Sequence, residues 1–460
     1  MRTTGHRELF AELLPADAGG FVVGDDDARA LARELGGRFR PLTPAELAAE
    51  RTGSGSRVGA AIVLGDAVPV ADFELLADAL ELGGRLILRP PDHRTFAPAE
   101  TRRLSLALAA AGFVVLRATP EAIAARREPF VVRSYRPGDE DRILPLFATS
   151  FHQHRSREKF DWIYRRNPLG NGKISLAFRE DGELVAQYAG YPVRLRRPEP
   201  QGEPLLALQI GDLMSAPAVR HVGRGPTSLF GRTARHFYAS FCEEQVAFNF
   251  GVNTGTSLGF ALRFTGARLL EAAPYHSRPA RQPVPRSLRS RWRGDRIERL
   301  RSVDGRFDEL FDRVAPHYGL LAERGAEYLQ RRYFDCPDTE FALWANFRRE
   351  RLVGWSVFRT RGQDRETLVW GDALFDPSAA GAVENLLAHS LADPEHSAAT
   401  TIETWLCPRP AAWSRQVRSL GFDPQGEPNG LSVVYVPFGL RDESELRERW
   451  YYTMGDFDLF

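Results

Sequence analysis

The sequence predicts an α/β protein of several domains, and three observations carry that prediction. Within the first 127 residues, short apolar runs alternate with helical patterns, as in a doubly wound domain with a parallel sheet. From Leu205 to Leu229, an alternating strand pattern runs into a glycine-containing loop and then an apolar helix pattern. From residue 298 to 460, the order of parts found between 128 and 277 recurs at weak identity, which marks an internal repeat. A chain of 460 residues has room for about two to four domains.

Composition narrows the function classes. Lys and Arg number 61 against 60 Asp and Glu, a net charge of +1, so no global pull toward nucleic acid or an anionic membrane is expected. Hydrophobic residues make up 43% and charged residues 26%, the balance of a globular protein. Cys242, Cys336 and Cys407 are far apart and form no metal-ligand spacing, so we expect no metal, no disulfide framework and a reducing cytoplasm. The opening MRTTGHRELFAELLP has no long apolar stretch of a signal peptide, and no run approaches the roughly 18 apolar residues of a membrane span.

Taken in order, residues 20–24 read as a strand, 27–35 as a helix stopped by Gly36 and Gly37, and 60–64 as a second strand. A helix over 73–82 is broken by Gly83 and Gly84, ahead of a third strand at 85–88. A helix over 101–111 is capped by Gly112, and 113–116 is the last strand. Residues 118–128 are expected to be a short polar helix or linker.

A new domain opens with a strand at 130–133, a turn at Arg136-Pro137-Gly138-Asp139 and a helix carrying Ile143, Leu144, Leu146 and Phe147. A helix over 157–166 carries Phe160, Trp162, Ile163 and Tyr164, and stops at Asn167-Pro168, since a residue before proline resists the helical conformation. Strands at 173–178 and 184–195 are joined by the hairpin signal Asp181-Gly182. In the next strand Leu206, Leu208 and Ile210 alternate with Ala207 and Gln209, as on a half-buried strand. The loop holds Gly223, Arg224 and Gly225. Pro226 suits the first turn of a helix, and Leu229, Phe230, Ala234, Phe237 and Tyr238 trace its apolar face. Such a unit aims backbone N–H groups at one spot and ends in a helix N-terminus that favours negative charge, which suits a pyrophosphate.

Residues 278–297 are rich in proline and arginine and read as a linker. The second copy then runs through a helix at 307–314, strands at 340–347 and 352–359, a helix at 379–391, and a last strand at 431–436. Tyr164 with Pro168 is echoed by Tyr333 with Pro337, and Gly211-Asp212 with Pro217 by Gly371-Asp372 with Pro377. Ser378-Ala379-Ala380-Gly381 stands where the second copy would need its phosphate loop, so that copy is not expected to hold a cofactor in the usual way. An aromatic tail closes the chain.

Arg220-His221-Val222-Gly223-Arg224-Gly225 resembles the cofactor loop of the GNAT N-acyltransferase superfamily, which reads Gln/Arg-x-x-Gly-x-Gly/Ala; a second register sets Gly223 to Thr227 against Gly-Lys-Gly-Ile-Gly. Gly211-Asp212-Leu213-Met214, the strand at 248–253 and the closing Gly266 extend the resemblance over about 130–274, and the repeat makes a tandem pair. The run 73–88, Pro90-Pro91-Asp92-His93 and Ala111-Gly112-Phe113 resembles the later half of class I methyltransferases. Their S-adenosylmethionine loop is not supplied by 14–20, so a truncated Rossmann-like domain of structural or docking use is implied. Asp66 and His93 are polar residues of that part. The implied architecture is a partial Rossmann-like domain at 1–127, a GNAT domain at 128–277, the linker at 278–297, and a degenerate GNAT-like domain at 298–460, α+β in the GNAT parts.

The resemblance implies transfer of an acyl group, acetyl or another, from acyl-CoA to the amine of a small molecule such as an amino sugar or a biosynthetic intermediate. The alternatives are a GNAT-fold scaffold without turnover and a transferase with a non-acetyl donor. An amine must lose a proton to attack a thioester, the carbonyl oxygen needs a donor, and the thiolate needs an acid. Leu213, Met214 and Ser215 would hold the pantetheine arm. Arg220, Val222, Gly223, Arg224, Gly225, Pro226, Thr227 and Asn253 complete the expected cofactor set. Asp212 is the candidate base, or else a structural carboxylate, since Asp372 recurs in the copy without a loop. The usual tyrosine acid four residues before the closing glycine is Leu262 here, which leaves Tyr188, Tyr191 or Tyr238. His152, His154, Trp162, Asn249 and Asp456 are the expected acceptor contacts, Asp456 or Asp458 of the tail lying near the amine.

Overall fold

A computed structural model describes residues 13–14, 19–24, 26–35, 37–50, 57–65, 68–90, 94–199, 202–285 and 294–460. The chain divides into two compact units. The first takes residues 1–153, 174–188 and 213–240, and the second 154–173, 189–212 and 241–460.

In the first unit, strands β1 (Gly20–Val23), β2 (Phe39–Leu42), β3 (Val58–Leu64), β4 (Leu80–Arg89), β5 (Phe113–Ala118) and β6 (Ile123–Arg127) form one sheet in the order β2-β1-β3-β4-β6-β5. The first four are parallel, and β6 lies antiparallel between β4 and β5. Both faces carry a core, so the central strands β1 and β3 are apolar throughout. Phe21 and Val23 enter one core with Leu76, Leu108 and Phe113, while Val22 enters the other with Leu31 and Ile62.

Three expectations for this stretch need correction. The helix from Phe73 ends at Ala79, and Leu80 already belongs to β4. Gly83 (φ 89°) lets the strand bulge and resume its pairing at Arg85, so the glycine pair bends a strand instead of ending a helix. Residues 123–127, expected as a polar linker, are a strand. Arg127 is buried there because its guanidinium donates to the Ala77 carbonyl (3.1 Å) and pairs with Glu180. The short strand β2 and the helix Pro44–Glu50 give too few residues for a periodic signal. Asp66 and His93 lie outside the described residues.

The first unit also holds β7 (Phe130–Ser134), antiparallel to β8 (Lys173–Arg179), and the opening of β9 (Leu184–Arg196), reached through a turn at Gly182 with φ 86°. β10 (Leu205–Ser215) crosses from the second unit into the first between Asp212 and Leu213. Every β10 residue from Ala207 to Asp212 is buried, so this strand is covered on both faces and not half-buried; Leu206, expected inward, is exposed.

The second unit contains two sheets. In one, β10 pairs in parallel with β11 (Phe248–Asn253), and β21 (Ser432–Pro437) lies antiparallel between β11 and β12 (Arg268–Ala272). The other runs β14 (Arg296–Leu300), β16 (Ala342–Arg348), β17 (Arg351–Arg361), β18 (Thr367–Phe375), β19 (Thr401–Trp405), β13 (Tyr275–Pro279) and β20 (Asp423–Pro424). Strands are thus exchanged: the last long strand completes the earlier sheet, and β13 completes the later one. The expected linker accordingly begins inside β13 and ends inside β14. Arg278 is buried, donating to the Leu420 and Gln282 carbonyls, because it belongs to a sheet and not to a solvated tether.

The tail from Trp450 to Phe460 is built into this unit's core. Trp450 packs on Phe248 (5.8 Å between centroids) and Phe250 (5.0 Å), Phe457 on Trp405 (5.4 Å) and Phe460 on Phe341 (5.2 Å). Large aromatic rings left in water would lose this burial, so the tail serves as a seam.

Candidate functional site

In the first unit the predicted cofactor loop is two tight turns, Pro217–Val219 and Gly225–Thr227, ahead of the helix Leu229–Phe241. Gly223 and Gly225 have φ of 70° and 53°, the left-handed region that glycine occupies without strain, and a Cβ on Gly223 would overlap the Thr227 carbonyl. Pro226 sits in the second turn and not in the helix. The helix is capped by Ser228, whose Oγ accepts from Gly231 N (3.1 Å) and donates to the Gly225 carbonyl (2.6 Å). Several loop groups close the turns themselves: Thr227 N bonds the Arg224 carbonyl (3.1 Å), Leu229 N the Val222 carbonyl (3.0 Å) and Thr227 Oγ1 the Arg224 carbonyl (2.9 Å). Arg220 Nε donates to the Ser215 carbonyl (3.3 Å), and Met214 is buried. Gly223, Arg224, Pro226 and Thr227 are exposed.

Tyr188 is in this unit's core. Its hydroxyl bonds that of Tyr238 (2.9 Å) and its ring packs on Phe237 (4.9 Å), so neither tyrosine is placed as a free acid. His152 caps a helix in a left-handed conformation (φ 55°) and is exposed.

The second unit encloses a cavity of about 520 Å³. Its wall includes Arg155, Lys159, Trp162, Tyr164, Tyr191 and Asp212, together with Tyr328, Arg331, Arg332, Asp456 and Asp458. Asp212, buried within β10 with φ 51°, is ion-paired to Arg155 and accepts from the Tyr164 hydroxyl (2.6 Å). Burial alone would lower the Arg155 pKa, but Asp212 outweighs it and holds the guanidinium firmly charged. Burial, then the Asp212 charge, keep the Tyr164 hydroxyl protonated.

Asp458 is different. Its side chain is exposed and lines the cavity, and desolvation by the surrounding protein followed by repulsion from Asp212 raises its pKa to about 6. Gly211 makes its position possible, since a Cβ there would overlap the Asp458 carboxylate. Tyr191 faces the same space, and burial pushes its pKa up to about 12.

The Arg155–Asp212–Tyr164 arrangement occurs twice. Arg324 pairs with Asp372, and the Tyr333 hydroxyl donates to Asp372 (2.7 Å); in each set the arginine precedes the tyrosine by nine positions. Gly371, the counterpart of Gly211, is likewise required to be small, since a Cβ there would overlap the Phe460 ring. The second set is sealed. Arg324 and Asp372 are both 0% exposed, Thr453 Oγ1 also donates to Asp372 (2.8 Å), and the adjoining space is only about 10 Å³. Asp456, an expected acceptor contact, pairs with Arg324 and accepts from Thr453 N (2.8 Å), so it is tied to this sealed set.

The remaining candidates separate. Trp162 lines the cavity and donates from Nε1 to the Arg331 carbonyl (2.8 Å). His154 is exposed and outside the cavity wall. Asn249 is buried beside the Cys242 thiol (3.9 Å), and Asn253 is buried at the end of β11 opposite Ser432. Sequence reading missed Arg155, Lys159 and Arg332. It named Asp212 as the candidate base and Tyr164 as a residue of the helix over 157–166 that recurs in the repeat. The nine-residue Arg–Tyr spacing in both copies was the available signal.

Residues 131–257 match the family described as the acetyltransferase (GNAT) domain. Among solved structures, the chain is similar to a probable N-acyltransferase from Enterococcus faecalis at 13% identity (TM-score 0.49, covering 70% of this chain and 75% of that one). It is also similar to a GCN5-related N-acetyltransferase from Anabaena variabilis at 12% (TM-score 0.45, 66% and 72%). A third is the Saccharomyces cerevisiae N-myristoyltransferase with bound myristoyl-CoA, at 12% (TM-score 0.45, 67% and 82%). No curated protein matches the sequence. Among the described residues, no helix is long and apolar enough to cross a membrane, and no cluster of potential metal ligands occurs.

Proposed function

We propose that this protein is an acyl-CoA-dependent N-acyltransferase that acts on the amine of a small molecule, with Asp458 as its base. The observation that carries this reading is a carboxylate with a pKa of about 6, open to a 520 Å³ cavity, in a chain whose residues 131–257 match the GNAT acetyltransferase domain. A group titrating near 6 is ionised at neutral pH yet accepts a proton readily, as general-base catalysis needs. Acyl-CoA supplies the activated thioester. Asp458 takes the proton of the acceptor's ammonium, and the freed amine forms the C–N bond as the C–S bond breaks. Tyr191, a protonated hydroxyl in the cavity wall, donates to the departing sulfur and is reprotonated by the second proton that the nitrogen sheds as the amide forms. Asp212, held by Arg155 and Tyr164, keeps Asp458 partly protonated by repulsion and fixes the end of β10, so it acts as a positioning residue. Gly223 and Gly225 would let the backbone approach the donor's pyrophosphate closely.

The repeated Arg–Asp–Tyr set supports a tandem GNAT origin for the second unit's later sheet, its copy kept for stability. The truncated methyltransferase-like reading of residues 1–127 rests on their strand–helix alternation and on the parallel order of β1 to β4. Calorimetric titration with acetyl-CoA and longer acyl-CoAs, followed by thiol release with a panel of amines, tests the reading. Micromolar binding that is lost in Gly225→Trp supports it. Absence of binding to the unaltered protein refutes it and leaves a GNAT-derived scaffold.

A further inference from the structure

The cavity wall carries a cluster of cations that the reaction above does not use. Lys159 Nζ lies 4.4 Å from the centre of the Trp162 ring, Arg331 Cζ 5.1 Å and Arg332 Cζ 5.8 Å, and all four residues line the cavity. Their hydrogen-bond partners are main-chain oxygens and a cysteine sulfur, not side-chain carboxylates. Lys159 donates to Cys336 Sγ (2.7 Å) and the Pro337 carbonyl (3.2 Å). Arg331 donates to the Arg166 (2.9 Å) and Trp162 (2.6 Å) carbonyls. Arg332 donates to main-chain oxygens of Gly455, Phe457 and Phe460. By contrast, the cavity's other cations are matched by side-chain carboxylates: Arg155 by Asp212, Arg194 by Glu323 and Arg196 by Asp312.

Burial lowers the pKa of Lys159, against the contact with Cys336, and burial also lowers that of Arg331, whereas at Arg332 burial is outweighed by neighbouring tyrosines, which raise its pKa. Lys159 and Arg331 are half-buried, and charge withdrawn from water is ordinarily paired, so cations gathered around one indole ring without a side-chain carboxylate leave a place for an anion. Arginine and lysine together give both the fork and the point charge that carboxylate and phosphate groups accept.

We propose that Lys159 and Arg331, seated on Trp162, form an anion subsite in the acceptor cavity, and that the acceptor therefore carries a carboxylate or phosphate as well as its amine. Asp458 takes the amine and the cation cluster takes the acidic group, so the cavity selects an amphoteric molecule over a simple amine. This rests on the N-acyltransferase reading for the amine's fate, but the anion subsite can be tested without turnover.

The test compares paired probes by calorimetry in the absence of acyl-CoA: phenylalanine against phenethylamine, and glucosamine 6-phosphate against glucosamine. The expected result is at least tenfold tighter binding of one acid-bearing probe than of its partner without the acid group. Which pair shows it identifies carboxylate or phosphate as the group. The preference should collapse in Lys159→Met and in Arg331→Met and survive in Lys159→Arg, which keeps the charge. A simple amine bound as tightly as its acid-bearing partner, or no binding of any probe, overturns the subsite. So does a Lys159→Met protein whose weakened ligand is acyl-CoA, because the cations would then serve the donor's phosphates. Selective binding of the acid-bearing probe with no thiol release would keep the subsite and defeat the acyltransferase reading, so the two failures are distinct.

Discussion

Replacing Arg324 by methionine tests the claim that one Arg–Asp–Tyr set is structural and the other belongs to a site. The substitution leaves Asp372 and Asp456 as buried carboxylates without their cation. Breaking a buried pair by removing one partner costs about 3–5 kcal/mol. Asp372 keeps donors from Tyr333, Thr453 and the Ala373 main chain, and Asp456 keeps one from Thr453, which places the cost near the lower bound, about 3 kcal/mol. For a unit of this size each kcal/mol moves the midpoint by roughly 2–4 °C, so the drop should be roughly 6–12 °C. The matching change Arg155→Met acts on a pair whose side chains are 15% and 7% exposed beside the open cavity. Water can then reach Asp212, which also retains Tyr164, and the cost falls to about 1 kcal/mol, or roughly 2–4 °C. Scanning calorimetry on the two variants reads both values. The double variant R324M/D372N should recover part of the loss, since it removes one of the stranded charges. Equal shifts for the two arginines, or a drop under about 3 °C for Arg324→Met, would refute the assignment of a sealed and an open copy.

Three further outcomes follow from the cavity and the tail. The kcat/KM of acyl transfer should rise about tenfold per pH unit up to about pH 6 and then level, because the ionised form of Asp458 is the base; Asp458→Asn should abolish that limb and lower the rate by about 10² to 10⁴. The same raised pKa has a stability signature: ionised Asp458 opposes folding, so its penalty is present above pH 6 and fades as pH falls through that value toward 3.8, the reverse of a salt-bridged acid; chemical denaturation across this window, against Asp458→Asn, would expose a wrong sign. Gly371→Ala should displace the Phe460 ring and speed proteolytic removal of the tail, and an unchanged cleavage rate would show that the tail is not anchored there.

Some of this was legible in the sequence because it is local. Apolar runs and their spacing marked β3, β7, β8 and β11, a glycine marked the end of the helix Pro98–Ala110, and Gly223 and Gly225 marked turns that need left-handed backbone. The recurrence of Tyr164 as Tyr333 and of Asp212 as Asp372 was legible as well, since a repeated motif preserves order even when identity has faded; that each tyrosine meets its aspartate was not. What the tertiary structure decided depends on contacts between distant positions. Nothing local distinguishes Asp212 from Asp458 as a base; the difference is that Arg155 and Tyr164 neutralise one, while desolvation and its neighbour's charge raise the pKa of the other. Nothing local places β21 in the earlier sheet and β13 in the later, because strand partners are chosen by exposed edges and not by neighbours in the chain. Nor does the pattern of residues 157–166 or 326–334 reveal that Lys159, Arg331 and Arg332 meet on one indole ring. Periodicity sets which face of an element is apolar, and only the fold sets what that face meets.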